Sequence, residues 1–126
     1  MRIALVNDSP IATEALRRSI AFKPGLKIAW TASNGAQAIA MAKQDRPDLI
    51  LMDLIMPGMD GVDATRNIMQ NTPCGILVVT SSVDANFGKV FDAMGHGALD
   101  AVNTPAGGRD KELIAKIEQV SKRLKT

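Results

Sequence analysis

Asp48-Leu49-Ile50-Leu51-Met52-Asp53-Leu54-Ile55-Met56-Pro57-Gly58-Met59-Asp60-Gly61 is the stretch that decides the fold. Leu49 to Met52 is an unbroken apolar run that stops at an acid, Asp53. A run of this kind bounded by turn signals reads as a strand buried on both faces, as strands of a parallel sheet are. Met56 to Gly61 follows as a loop whose proline and glycines force a turn, and Met56 and Met59 read as apolar pins of that turn. A helix is expected from about Val62 to Gln70, so the stretch is one β-loop-α unit.

The same unit recurs on both sides. Ile3 to Val6 ends in Asn7-Asp8, Gly75 to Val79 ends in Thr80, and Ala98 to Val102 ends in Asn103-Thr104. Lys27 to Ser33 sets Ile28, Trp30 and Ala32 against Ala29, Thr31 and Ser33, which suits an edge strand with one face more open. Between the strands, Ser9-Pro10 opens a helix with Ala12, Ala15, Leu16 and Ile20 on its buried stripe, and Pro24-Gly25 ends it. Asn34-Gly35 opens an Ala-rich helix to about Arg46. Phe87, Val90, Phe91 and Met94 form the expected packing stripe of a fourth helix, closed by Gly95-His96-Gly97. Leu113, Ile117, Val120 and Leu124 form that of a fifth, from about Asp110. Alternating strands and helices predict a parallel α/β sheet, with function at the carboxyl ends of the strands near the topological switch point.

Composition narrows the classes. At 126 residues and 46% hydrophobic, the chain reads as one domain over 1–126. A net charge of +2, 3% aromatic residues and no tyrosine leave no stacking platform, so no direct nucleic-acid binding is expected. Lys122, Arg123 and Lys125 read as solvated charge at the end of the last helix, favourable to its dipole. No apolar run is long enough for a signal peptide core or a membrane span, and the single Cys74 excludes an internal disulfide. A cytoplasmic location is expected, with no membrane partner. His96, the only histidine, has no metal or triad partner and reads as a helix end.

Acids at strand ends can simply cap helices and turns. The joint pattern says more. Asp8 and Asp53, brought together at one sheet edge, form the pair of carboxylates that Mg²⁺ commonly takes, the rest of its octahedron being water and phosphate oxygens. A carboxylate can also attack phosphorus to give an aspartyl phosphate, and Asp53 at the mouth of the central strand is best placed to do so.

The stretch quoted at the outset, with the acid after the first strand and Thr80-Ser81 after the fourth, resembles the receiver domain of two-component response regulators over essentially the whole chain. The resemblance implies a flavodoxin-like doubly wound sheet of five parallel strands, order 2-1-3-4-5, in a (βα)5 chain. It implies Asp53 as phosphoacceptor, Asp8 as a direct Mg²⁺ ligand, Asn7 acting through water and Ile55 contributing its backbone carbonyl. Thr80 would hydrogen-bond the phosphoryl oxygen and so sense phosphorylation. Asn7-Asp8-Ser9 and the segment Gly97 to Pro105 are most similar to the receiver that precedes the catalytic domain of chemotaxis-type protein-glutamate methylesterases. Two positions depart from the family's usual pattern: Asn7 stands where a second acid is usual, and Thr104 where a lysine is usual before the proline. Ala101 occupies the switch position that is often aromatic.

The functional expectation is a domain that receives a phosphoryl group on Asp53 from a chemotaxis-type histidine kinase with Mg²⁺. The added charge then biases an output surface of fourth helix, fifth strand and fifth helix. No methylesterase nucleophile motif occurs in these residues, so such an activity would lie beyond Thr126, in a longer protein. One rival is a pseudo-receiver that only docks, independently of phosphorylation. Another, a flavin or nucleotide carrier on the same fold, lacks a Gly-rich phosphate loop after the first strand, and Asp8 there would repel phosphate.

Overall fold

The computed structural model describes residues 1–106 and 110–124. Lys125 of the basic cluster lies outside them. Five parallel strands, β1 (Arg2–Val6), β2 (Lys27–Ala32), β3 (Leu49–Met52), β4 (Gly75–Thr80) and β5 (Asp100–Asn103), pair in the order β2-β1-β3-β4-β5. They alternate with helices α1 (Pro10–Ala21), α2 (Gly35–Gln44), α3 (Gly61–Asn71), α4 (Phe87–Gly95) and α5 (Lys111–Leu124). The expected architecture and strand order are those observed.

The period of two along each strand divides the core into two layers. Ala4, Val6, Ile50, Met52, Ile76 and Val78 pack with Ala38, Ala42, Ala64, Ile68, Val90 and Ala93, so α2, α3 and α4 cover one face. Ile3, Leu5, Leu49, Leu51, Leu77 and Val79 pack with Leu16, Ile20, Leu113, Ile117 and Val120, so α1 and α5 cover the other. Each large side chain buried here stabilises the fold by about 1.5 to 3 kcal/mol relative to exposure. Strands β1, β3 and β4 are thus apolar on both faces, as their unbroken runs require.

Three expectations need correction. In β2 the register against β1 slips between Ile3 and Ala4, which face Ile28 and Trp30 respectively, leaving Ala29 as an extra residue. One inserted residue moves a side chain to the other face. Ile28 therefore packs with the α1/α5 layer, while Trp30 and Ala32 belong to the other, instead of all three sharing a face. In α4, Phe87, Phe91 and Met94 are 65%, 68% and 43% exposed, so the expected packing stripe is in fact a surface stripe. The helix meets the core through the narrower pair Val90 and Ala93, and the two phenylalanine rings stack on each other with centroids 6.4 Å apart. At the end of α5, Leu124 is 38% exposed rather than buried.

Helix starts follow the sequence closely. Ser9 Oγ accepts the Ala12 amide ahead of Pro10, and Asn34 Oδ1 accepts that of Gln37. Asp60 Oδ1 accepts the Asp63 amide at the head of α3. His96 caps the C-terminus of α4, and Gly97 continues with φ +116° against the Met69 side chain, a conformation that favours glycine.

Candidate functional site

The carboxyl ends of β1, β3 and β4 bring the predicted residues to one edge. The Asp53 amide donates to Val6 O at 2.9 Å, which sets Asp53 directly beside the Asn7-Asp8 end of β1. Thr80 closes β4 in register with Asn103 of β5, and the Thr104 amide donates to Thr80 O at 2.8 Å. Asp53 and Thr80 thus end neighbouring strands, as the sequence pattern predicts.

Asp53 is half-buried. Burial pushes its carboxyl up to about 6, the charge of Asp8 adds to the rise, and the backbone N–H groups of Ile55 and Leu54 oppose it. The Ile55 amide reaches Asp53 Oδ1 at 3.4 Å, a long bond. Asp8 is exposed at the rim, where Asn7 and Asp8 share an open groove of about 380 Å³ with Thr31, Ser33 and Gln37. Asn7 is nearly buried, and its Oδ1 accepts the Ser9 amide at 2.9 Å, so its carbonyl oxygen shapes the turn into α1. Thr80 is fully buried, and its Oγ1 accepts a hydrogen bond from Asn86 Nδ2 at 3.0 Å.

The donor set fits Mg²⁺. No group of three or more His, Cys, Asp or Glu side chains converges among the described residues, as a softer or all-protein metal cage would require. Two adjacent carboxylates, hard oxygens at an open edge, suit an ion that keeps several waters. Asp53 itself, held above the ordinary carboxylate range by burial and by Asp8, is a site where a divalent cation would favour the ionised form.

The loop after Asp53 packs tightly. Gly61 lies against the Asp53 carbonyl so closely that any Cβ there would collide with that oxygen and with the Leu54 backbone, and its amide donates to Leu54 O. Next to it, Asp60 Oδ2 pairs with Lys89 Nζ of α4 at 2.9 Å. Burial raises the Asp60 carboxyl, but Lys89 and the backbone amides outweigh it and lower it overall.

Asn86 and Lys89 at this edge are not foreseen in the sequence, whereas Asn103 is one of the strand-end residues that the sequence places here. Asn103 Oδ1 accepts the Val83 amide at 2.8 Å and ties the loop after β4 to β5. Asn86 directly precedes the apolar stripe of α4, a position that sequence alone assigns to helix capping; its bond to Thr80 carries no local signature.

Fold and site together describe a half-buried carboxylate beside a second one at the switch point of a doubly wound sheet. Residues 3–118 match the family described as response regulator receiver domain, and the chain belongs to that family. It is 56% identical over 119 residues to a "protein-glutamate methylesterase/protein-glutamine glutaminase 1" of Pseudomonas fluorescens (strain Pf0-1), covering 93% of this chain and 35% of that protein. The chain therefore spans about a third of the length of that relative. Among solved structures, the response regulator domain of Thermotoga maritima CheB superposes with TM-score 0.88 at 24% identity, covering 100% of this chain and 97% of that one, a likeness of fold. A CheY6 of R. sphaeroides, solved in complex with the P1 domain of CheA3, matches with TM-score 0.83 at 25% identity over 96% of each chain.

Proposed function

We propose that this chain is a phosphorylation-controlled regulatory domain that receives a phosphoryl group on Asp53 from a chemotaxis-type histidine kinase in the cytoplasm. The observation that carries the reading is the half-buried Asp53 carboxyl at the end of the central strand, raised to about 6 and set beside Asn7-Asp8. An Asp53 carboxylate oxygen attacks phosphorus as the phosphohistidine N–P bond breaks, and the imidazole nitrogen keeps the bonding electron pair. Asp8, Asp53 and the Ile55 carbonyl would hold Mg²⁺, with Asn7 acting through water. The bound ion would supply charge neutralisation between the carboxylate and the incoming phosphoryl oxygens. Thr80 would hydrogen-bond a phosphoryl oxygen.

The proposed output surface is α4, β5 and α5, where Phe87, Phe91 and Met94 leave an apolar stripe open. The partner we assign to it is a linked methylesterase domain following this one, on the strength of the relative's length and name. The test is transfer of label from a phosphorylated chemotaxis-type kinase domain to this chain in Mg²⁺. Expected is labelling that chelation abolishes. Labelling by a low-molecular-weight phosphodonor but never by the kinase would contradict the assigned donor.

A docking module independent of phosphorylation is the second reading, favoured by Thr104 in place of the usual cation. It predicts that the chain binds its output partner equally well with and without a phosphodonor.

A further inference from the structure

The first turn of α4 is fastened to the acceptor edge of the sheet by a side chain that would otherwise cap that helix. Asn86 donates through Nδ2 to Thr80 Oγ1 at 3.0 Å, inside a fully buried environment for the threonine. Asn86 is also the residue at the N-cap of α4, yet its side chain makes no capping bond and its backbone, at φ −107° and ψ 25°, is not extended. Ser9, Asn34 and Asp60 occupy the same position in α1, α2 and α3, and each is extended and accepts the amide three residues ahead. The chain enters α4 through a turn that already begins at Ser82, whose carbonyl accepts the Asn86 amide at 3.1 Å and whose Oγ accepts that of Ala85 at 3.1 Å, and within it the Asn86 side chain is committed to Thr80.

A threonine hydroxyl accepts up to two hydrogen bonds and donates one, and its oxygen occupies one of a few staggered positions. Turning Oγ1 toward a phosphoryl group on Asp53 moves it to another such position and takes it away from Asn86. An asparagine freed in this way has a strong local alternative, because Asn is among the best N-cap residues. By the spacing of the other three caps, its new partner is the Lys89 amide. Phe87 follows Asn86 directly, so a change of backbone at Asn86 alters how the exposed aromatic stripe leaves the sheet.

We propose that Asn86 is a positioning residue with two alternative partners, the Thr80 hydroxyl in the unphosphorylated domain and the Lys89 amide in the phosphorylated one. The inference rests on the reading of Asp53 as phosphoacceptor, and it supplies the link from Thr80 to α4.

The experiment is residue-resolved amide exchange at Lys89 on the whole chain, with and without a low-molecular-weight phosphodonor and Mg²⁺, phosphorylation being followed separately by intact mass. In the wild-type protein, phosphorylation is expected to slow exchange at Lys89 about fivefold, the protection that a typical cap confers. Thr80→Val removes only the competing hydroxyl and should give the same slowing without phosphodonor. Asn86→Ser keeps a capping oxygen on a chain too short for Thr80 and should do likewise, whereas Asn86→Ala should show no slowing in either state. Unchanged exchange in phosphorylated wild-type protein, or an Asn86→Ala response equal to wild type, overturns the proposal, as does Thr80→Val matching the unphosphorylated wild type. If no mass gain occurs in the wild type, the reading of Asp53 fails, and Thr80→Val and Asn86→Ser still decide the choice of partner.

Discussion

Asp53 carries opposite demands of stability and chemistry. Its carboxyl sits near 6 in the folded chain, against an ordinary value of 3.8, chiefly because burial penalises the charged form. Below the unfolded value both states hold the proton and nothing is lost. Between the two values the folded state binds more protons than the unfolded state, so stability falls as pH rises, and above the folded value the full penalty is present. Asp53→Asn should therefore be more stable than wild type by about 1 to 2 kcal/mol near neutral pH, partial exposure having been allowed for. Denaturation at a series of pH values checks this: the gain should vanish below about pH 4 and shrink when Mg²⁺ stabilises the wild type. A second residue-scale prediction concerns Asn7 and Thr104. Relative to the usual receiver pattern one removes a negative charge and the other a positive one, so the formal sum is unchanged. Asn7→Asp and Thr104→Lys together should restore Mg²⁺ affinity and phosphorylation rate beyond the sum of the single changes. The expected coupling is about 0.5 to 3 kcal/mol, and strict additivity would mark the two positions as independent.

At the scale of elements, the loop after Asp53 and α4 behave oppositely. Gly61 touches the Asp53 carbonyl and the Leu54 backbone, so Gly61→Ala must displace main chain and should cost at least about 2 kcal/mol while moving Asp53. Chemical denaturation reads the first effect and phosphorylation rate the second. On α4, Phe91→Ser should change stability by no more than about 0.5 kcal/mol, because Phe91 is exposed, while Val90→Ala should cost about 2 kcal/mol. If Phe91→Ser proved as destabilising as Val90→Ala, the ring would be part of the core. The sequence could not separate the two: i, i+3, i+4, i+7 spacing marks an apolar face, but not whether a neighbour covers all of it. In β2 the alternation was likewise legible and its facing was not, because the extra residue at Ala29 leaves no mark in composition. The starts of α1 and α2 were legible to the residue, since Ser9 and Asn34 act through bonds three positions away, while Asp60, which reads as part of the loop, caps α3 one residue ahead of the expected start at Val62.

For the whole molecule, the meeting of Asp8, Asp53 and Thr80 at one edge follows from local pattern, because a parallel sheet places all strand ends of one sense together, whereas the strand order is what the resemblance to receiver domains implied. What the pattern leaves open is contact between segments distant in sequence, such as Lys89 with Asp60 across two helices or Lys116 with Asp100 at 2.9 Å under β5. These pairs tie α4 and α5 to the site edge and to the fifth strand, the face through which phosphorylation is proposed to act. All of this depends on acceptance of the phosphoryl group by Asp53. Its most direct test is intact-mass measurement of wild-type chain and Asp53→Asn, each treated side by side with a low-molecular-weight phosphodonor in Mg²⁺. Gain of one phosphoryl group is expected in the wild type and none in the folded variant; no gain in the wild type, or an equal gain in Asp53→Asn, would rule out Asp53 as the acceptor.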